Sequence, residues 1–208
     1  MNPFRAFVHA VRADHAALRR GDERYGAGGA AVGGSLPADA VRRIGFQMLI
    51  AYRVMRLLRA AHLTPLAMIQ SRLIRHVYGA EIHWDAELAP GVAIVHGTAL
   101  VLSREARVGS GCILFQSVTL GVSIDPVTRV VGGPTLDEDV HVGPGACLLG
   151  PITIGRGTKI MANAVVLSSV PEHSLVEVAA PTVRIRARNA PAPDGAMMPT
   201  ESGHQHEG

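Results

Sequence analysis

The sequence predicts a mainly β fold, a parallel β-helix built from hexapeptide repeats, with a small α-helical region before it. The main observation is a six-residue period of bulky aliphatic residues, which fits neither an α-helix nor an ordinary alternating strand. Small or β-branched residues follow most of them by four positions, so each hexad offers two inward-facing positions. Aromatic residues make up only 4% of the chain and glycine numbers 23, which suits a narrow interior with tight turns. The aliphatic positions are Ile82, Leu88, Ile94, Leu100, Leu102, Val108, Leu114, Leu120, Leu136, Val142, Leu148, Ile154, Ile160 and Val166.

The first part of the chain, residues 1–79, is predicted to be helical. Apolar residues recur at roughly helical spacing over residues 4–20, and a Gly-rich stretch at 26–34 indicates a linker after them. Between Pro37 and Tyr78 the pattern predicts two further helices, the second beginning after Pro65. These helices form a small cap before the repeats.

The repeats predict a β-helix domain over residues 80–186. Three hexads close one triangular coil, and successive coils pair as parallel strands about 4.8 Å apart. The phase slips by two residues between Leu100 and Leu102, and residues 122–131 form an extruded loop. Such loops favour active sites, because the rigid coil fixes the frame while the insertion reaches outward. The tail at 187–208 contains several Pro and Gly residues and is expected to be disordered.

Charge and hydropathy exclude several classes of protein. The pI is about 9.3, but the net charge is only +3 and no basic run is interleaved with aromatics, so no nucleic-acid partner is expected. No apolar stretch approaches the ~20 residues of a membrane span and no secretory leader is evident, so a cytoplasmic protein without a transmembrane segment is expected. Cys112 and Cys147 fall among the repeats and are interpreted as core residues. Arginines between Asp39 and Glu81 are expected on a solvated helix face, with a membrane surface or an anionic partner as the alternative.

His96 is the first candidate for chemistry. It is the third residue of the hexad 94–99, outside the two inward positions. A neutral imidazole with a pKa near 6.5 can take a proton from a hydroxyl, which is typically worth 10²- to 10⁴-fold in rate. Glu81 precedes His96 by fifteen residues, close to one coil, and a carboxylate there can orient the imidazole. The alternatives are a surface histidine and an exposed acid at the start of the first coil.

Metal chemistry is not expected. Zinc needs three or four converging ligands, and the other histidines of the repeats, His83, His141 and His173, include no close pair. Lys159 is the only lysine of the chain. It either contacts a phosphate or is simply exposed.

Several segments resemble the serine O-acetyltransferases of the left-handed β-helix acyltransferase superfamily. They are Val95-His96-Gly97-Thr98, the run Phe-Gln-Ser-Val-Thr-Leu-Gly at 115–121, and the glycine- and proline-containing run at 142–155. The resemblance implies left-handed coils, acetyl-CoA as the acyl donor, and a homotrimer with active sites between subunits. A dimer of trimers, as in longer family members, is a further possibility.

The resemblance also assigns roles to individual residues. It places the catalytic base on His96 and the orienting acid, an Asp in the family, on Glu81. The family's Asp before the base is Val95 here, and the Arg-His pair that ends its loop and helps to hold serine is Gly132-Gly133. Coenzyme A contacts fall on Lys159, Gly121, Pro144 and Ala162. Asp22 and Arg129 are candidates to replace the missing serine-binding residues.

The sequence thus favours an acetyl-CoA-dependent O-acetyltransferase of the serine acetyltransferase type. It would convert L-serine to O-acetylserine, a step of cysteine biosynthesis. Acetylation of a sugar, a polysaccharide precursor or another small alcohol is the enzymatic alternative. A non-catalytic β-helix scaffold is the alternative of a different class.

Overall fold

The structure is a computed structural model that describes residues 2–25, 34–125 and 127–179, with the side chains of 22–25 excepted. The predicted tail, 187–208, lies outside the described residues, as does the predicted linker at 26–34 apart from Gly34. Residues up to Val178 form one compact unit.

Four helices come before the described strands: α1 (Pro3–Tyr25), α2 (Leu36–Arg42), α3 (Ile44–Ala60) and α4 (Thr64–Tyr78). Both α2 and α4 carry a proline in their first turn, where a missing N–H costs no helical hydrogen bond. Helix α4 ends at Gly79, whose φ of +60° is the left-handed conformation that glycine adopts without strain.

The helical region differs from the prediction at two points. Helix α1 continues to Tyr25, so that Asp22 lies within it rather than after it. The segment predicted as one helix from Pro37 is divided, because Arg43 adopts an extended conformation (φ −110°, ψ 105°) between α2 and α3. None of the described helices combines the length and the apolar character that crossing a membrane requires.

Short strands follow, and fourteen of those described form three parallel sheets. Sheet A contains β1 (Glu81–Ile82), β4 (Val101–Leu102), β7 (Thr119–Gly121), β12 (Cys147–Leu149) and β15 (Val165–Val166). Sheet B contains β2 (Glu87–Leu88), β5 (Arg107–Val108), β10 (Thr135–Leu136) and β13 (Thr153–Ile154). Sheet C contains β3 (Ala93–Ile94), β6 (Ile113–Leu114), β11 (His141–Val142), β14 (Lys159–Ile160) and β16 (Leu175–Val176). The chain visits A, B and C in turn, and one such passage is a coil.

The register of the sheets shows where the repeat is interrupted. Leu102 pairs with Leu120 after a regular coil of 18 residues, whereas Ile82 reaches its partner Leu102 after 20. The passage from Leu120 to Leu148 takes 28, because it contains an antiparallel hairpin of β8 (Ser123–Ile124) and β9 (Val131–Gly132). The parallel sheets expected from the hexad period are therefore present, with both interruptions.

The coil interior is apolar throughout its length. Each of the fourteen aliphatic positions predicted to face inward is at most 6% exposed. Among the small or β-branched residues that follow by four positions, Thr98 is exposed, because Leu100 takes the inward position at the two-residue slip, and Val170 is half-buried. Cys112 is buried as expected, but Cys147 is only half-buried, because it is the outward-facing residue of its strand.

The cap continues the same core. Met48, Tyr52 and Met55 of α3 and Ile74 of α4 belong to the buried cluster that fills the coils. Helix α1 packs elsewhere, with Ala17 against the outward residues of sheet C. The helices therefore cover both the first coil and the outer face of sheet C.

A buried ion pair joins α1, α3 and the first coil. The Arg53 guanidinium lies 2.8 Å and 3.0 Å from the two carboxylate oxygens of Asp14, and both side chains are at most 6% exposed. Asp14 also accepts hydrogen bonds from the backbone N–H groups of Gly91 (2.8 Å) and Val92 (3.2 Å). Arg53 was expected on a solvated face; instead it is one of the groups that positions α1.

Candidate active site

A cleft of about 610 Å³ lies between the helices and the first two coils. Leu18 and Gly21 of α1 form one side, and the junction of α2 with α3 forms a second. Sheet C and the turn after it form the third. The lining residues are Leu18, Gly21, Arg42, Arg43, Ile44, Gly45, Ala93, Ile94, Val95, His96, Thr98 and Phe115.

His96 lies in the turn that follows β3 and its side chain is exposed. Its φ of +66° is in the left-handed region, which few residues other than glycine adopt. Gly97 follows with a φ of +77°, and an added Cβ there would lie 2.6 Å from Met48 Sδ. The tight turn therefore requires glycine next to His96 and holds the histidine at the mouth of the cleft.

Three of the residues predicted for the site share one edge of the stack of triangular coils. We call the turns between a strand of sheet C and the next strand of sheet A the C–A edge. Four residues lie on this edge, and each follows an inward-facing residue of sheet C by two positions. Those four inward-facing residues are paired with one another across neighbouring strands of the sheet. The four residues on the edge are His96, Gln116, Pro144 and Ala162.

Gln116 was not singled out from the sequence. Its Oε1 atom is buried, and it has no hydrogen-bond partner among the described residues. A buried acceptor without a donor is uncommon in proteins, and it often marks a place where a ligand or water binds. Gln116 lies in the run 115–121 that resembles the family, but nothing in its residue type sets it apart from other polar turn residues.

Lys159 and Gly121 lie apart from the C–A edge. Lys159 is exposed at the start of β14, three residues before Ala162. Gly121 ends β7 and pairs with Leu149, on the side of sheet A where the hairpin begins. Within one chain, Gly121 is thus separated from His96 by the width of a sheet.

Glu81 begins β1, and its backbone N–H donates to Leu100 O (2.7 Å), so it lies beside the chain that leaves the His96 turn. Its carboxylate forms an ion pair with Arg75 of α4, at 2.6 Å, rather than with His96. The Glu81 side chain is 42% exposed and does not line the cleft. The backbone of Glu81 therefore lies beside the turn that carries His96, but its carboxylate pairs with Arg75.

The hairpin does not supply a cation to the cleft of its own chain. Arg129 is exposed at the hairpin tip, with a φ of +61°, and is not a lining residue. At the hairpin base, an added Cβ on Gly132 would lie 2.9 Å from Pro151 Cβ, and one on Gly133 3.0 Å from the backbone of Glu105. A side chain at Gly132 would therefore require Pro151 to shift, and one at Gly133 would be in tight contact with Glu105.

The turn of the hairpin is closed by Asp125. Its carboxylate accepts hydrogen bonds from the backbone N–H groups of Val127 (2.9 Å) and Thr128 (2.6 Å). These bonds from Thr128 and Val127 lower the pKa of Asp125 below its ordinary value. The hairpin thus has an ordered turn, with Arg129 placed directly after it.

Arg42 and Arg43, which the sequence placed on a solvated face, line the cleft. Arg43 is half-buried, and its Nε lies 3.3 Å from Asp39 Oδ1. Asp39 is buried, and its other oxygen lies 2.8 Å from His15 Nε2. The sequence offered no direct sign of this, because His15, Asp39 and Arg43 come together only when α1 packs beside α2.

Asp22, the other predicted substrate contact, lies in α1 directly after the lining residue Gly21, and its side chain is not described.

Among the described residues, no group of three or more His, Cys, Asp or Glu side chains is placed to hold a metal ion. Burial raises the pKa of the Cys112 thiol to about 12, so it is a poor nucleophile.

Comparisons with known proteins identify the class as serine acetyltransferases, although no family model matches the chain. The serine acetyltransferase of Synechococcus elongatus is 39% identical over 132 residues, 64% of this chain and 53% of that protein. The one from Helicobacter pylori strain 26695 is 36% identical over 130 residues, 62% of this chain and 75% of that protein. The chain therefore belongs to the serine acetyltransferase family, which confirms the resemblance noted in the sequence.

Solved structures agree with this assignment. Serine acetyltransferase of Neisseria gonorrhoeae in complex with serine has a TM-score of 0.71 and 28% identity, over 83% of this chain and 67% of that one. Isoform 3 from Entamoeba histolytica in complex with cysteine has a TM-score of 0.74 and 26% identity, over 88% and 62%. The match spans only 53% and 60% of the Synechococcus and Bacillus pumilus relatives.

Proposed function

We propose that this chain is an acetyl-CoA-dependent O-acetyltransferase that converts L-serine to O-acetylserine in cysteine biosynthesis. The observation that carries the proposal is the exposed His96 at the mouth of a cleft that a small molecule can enter. The kinship with serine acetyltransferases supports serine as the acceptor, as does the gonococcal structure in complex with serine.

The proposed reaction is a direct transfer within a ternary complex. A ring nitrogen of His96 accepts the proton of the serine hydroxyl while that oxygen attacks the thioester carbonyl. The tetrahedral intermediate then collapses, the carbon–sulfur bond breaks, and the leaving thiolate takes the proton back from His96. Much of the catalysis would come from alignment of the alcohol and the thioester in the cleft.

Glu81 is proposed as the residue that orients His96. In the described conformation its carboxylate pairs with Arg75, an exposed ion pair of small energetic value. A rotation of the Glu81 side chain toward the His96 turn would cost little for that reason. The carboxylate would then fix the tautomer of the ring and stabilise the imidazolium as the proton arrives.

The C–A edge is proposed as the binding site of the acetyl-CoA arm. Pro144 and Ala162 continue the line of His96 along successive coils and present little side chain beyond the turn. An amide N–H of the bound arm would give the buried Gln116 Oε1 a donor that no described residue provides. Lys159, exposed near Ala162, is placed to meet a phosphate of the donor.

We further propose that the coils are left-handed and that three copies form the working enzyme. Exposed aliphatic residues on the hairpin, Ile124, Val127 and Val131, support burial of that hairpin against a second copy. In such a homotrimer Gly121 and Arg129 would reach the cleft of a neighbouring copy rather than their own.

The test is acceptor-dependent release of thiol from acetyl-CoA by the full chain. L-serine, a panel of sugars and other small alcohols are compared, and the product is identified by mass spectrometry. O-acetylserine as the preferred product supports the proposal. Preferential acetylation of a sugar would replace serine as the acceptor, and no release with any acceptor would favour a scaffold.

A further inference from the structure

We propose that Thr98 is a catalytic residue whose hydroxyl donates a hydrogen bond to the thioester carbonyl oxygen of acetyl-CoA. The inference rests on the proposed function and deepens it, because it names a second group for the same reaction. In that reaction His96 takes a proton from the acceptor, but negative charge also develops on the carbonyl oxygen. A hydrogen-bond donor held at that oxygen is commonly a large part of the catalysis of acyl transfer.

Thr98 is exposed where the hexad pattern alone would turn it inward. It follows the inward Ile94 by four positions, and Val118 is buried at the equivalent position of the next coil. At the two-residue slip Leu100 takes the inward position instead, and Thr98 lines the cleft together with His96. The slip therefore adds a residue with a hydroxyl to the wall of the cleft.

Backbone hydrogen bonds align Thr98 with the C–A edge. The Ser117 N–H donates to Thr98 O at 2.8 Å. The same bond recurs in the two following coils, where Gln116 and Pro144 supply the accepting oxygen, at 3.0 Å and 2.8 Å. Thr98 therefore lies in line with Gln116 and Pro144, and it shares its turn with His96.

This position fits the reacting end of the donor. The acetyl-CoA arm is proposed to run along Ala162, Pro144 and Gln116, so its thioester would reach the next turn of that line, between Thr98 and His96. When the acceptor oxygen bonds to the carbonyl carbon, the C=O electron pair moves to the carbonyl oxygen. The Thr98 hydroxyl donates to this oxygen and keeps its own proton. As the intermediate collapses, the electron pair returns and the carbon–sulfur bond breaks.

Thr158 shows what a threonine does at the same hexad position in a regular coil. It follows the inward Ile154 by four positions and is 0% exposed, and its Oγ1 donates to Pro171 O at 2.9 Å. Within the described part of the chain, by contrast, no hydrogen bond uses the Thr98 hydroxyl. The Thr158 hydroxyl stabilises the fold, whereas the Thr98 hydroxyl has its donor free for a ligand.

The experiment compares Thr98→Val, which removes the hydroxyl and nearly keeps the shape, with Thr98→Ser, which keeps the hydroxyl. In Thr98→Val the kcat of thiol release should fall about 10²-fold with little change in either KM, because the lost bond matters mainly in the transition state. Thr98→Ser should retain most of the wild-type rate. An unchanged kcat in Thr98→Val, or an equal loss in both variants, would overturn the inference.

Thr158→Val is the matched control. It removes a buried, hydrogen-bonded hydroxyl away from the cleft, so it should lower Tm and leave kcat unchanged. Thr98→Val should do the reverse, since its side chain is exposed. A loss of Tm in Thr98→Val as large as in Thr158→Val would indicate a structural role and overturn the inference. So would a higher KM for serine at unchanged kcat, because the hydroxyl would then bind the acceptor.

Infrared spectroscopy of bound acetyl-CoA with an isotope-labelled carbonyl reads the contact without turnover. The carbonyl stretch is expected at a lower frequency in wild type and Thr98→Ser than in Thr98→Val, because a donated hydrogen bond weakens the C=O bond. That shift in a protein that transfers acetyl to no acceptor would uphold the contact and overturn the proposed function alone. Acetyl transfer to serine at equal rates by wild type and Thr98→Val would overturn the inference alone.

Discussion

The coil interior and the boundary between cap and coils are held together by different forces. The interior is a column of aliphatic side chains in register, all nearly inaccessible to solvent. The boundary instead contains two buried carboxylates, Asp14 paired with Arg53, and Asp39 in contact with His15 and Arg43. Apolar packing is non-directional, whereas charged hydrogen bonds fix orientation. The candidate active site lies at the boundary, where the orientation of the helices decides which side chains line the cleft with His96.

The largest expected effect on stability is at the boundary. Asp14→Ala removes one partner of a buried ion pair and leaves Arg53 and two backbone N–H groups without their acceptor. We expect the free energy of unfolding to fall by about 3–5 kcal/mol, measured by denaturant titration. Arg107→Ala breaks an exposed pair with Glu87 and should cost at most about 1 kcal/mol. Equal effects of the two variants would contradict the difference between boundary and surface.

A comparable loss is expected in the interior, by a different mechanism. Leu120→Ala leaves a cavity between the inward residues of neighbouring coils and should cost about 2–5 kcal/mol. The matched change Leu175→Ala acts on an outward leucine that is 56% exposed, and it should stay within about 0.5 kcal/mol. Thermal unfolding of both variants checks this, and a similar shift in Tm would show that the inward positions are not the core.

The smallest expected effect is a pH dependence that arises at the boundary. Desolvation lowers the pKa of His83, and its Nδ1 accepts a hydrogen bond from the Asp85 N–H (3.0 Å), which requires the unprotonated ring nitrogen. The unfolded chain then binds a proton more readily than the folded one. Stability is therefore full above the ordinary histidine pKa near 6.5 and is lost as the pH falls through it.

His83→Asn tests this pH dependence, because the amide oxygen can accept the same N–H while the side chain does not titrate. The free energy of unfolding of wild type and variant is measured between pH 5 and 8. The variant should show a flatter slope below pH 6.5. Parallel slopes, or a wild type that gains stability as the pH falls, would contradict the assignment.

The same contrast explains which features could be predicted from the sequence. The period placed Leu120 and the other inward aliphatics, because each hexad repeats one local geometry. The contact of Asp14 with Val92 spans 78 residues and leaves no periodic trace, so Arg53 was assigned to a solvated face. The same period placed His96 outside the inward positions, and it is indeed exposed in the turn after β3, while its role as a base stays a prediction. Arg42 was missed because it enters the cleft only through the packing of α1 and α3 on the coils.

The central claim is that His96 acts as the base of an acetyl transfer, and its direct test is the rate of serine-dependent thiol release by His96→Ala. The rate at saturating acetyl-CoA should fall about 10²- to 10⁴-fold, as for loss of a general base, while Tm stays that of wild type because the side chain is exposed. A correctly folded His96→Ala protein that releases thiol at the wild-type rate would contradict the account.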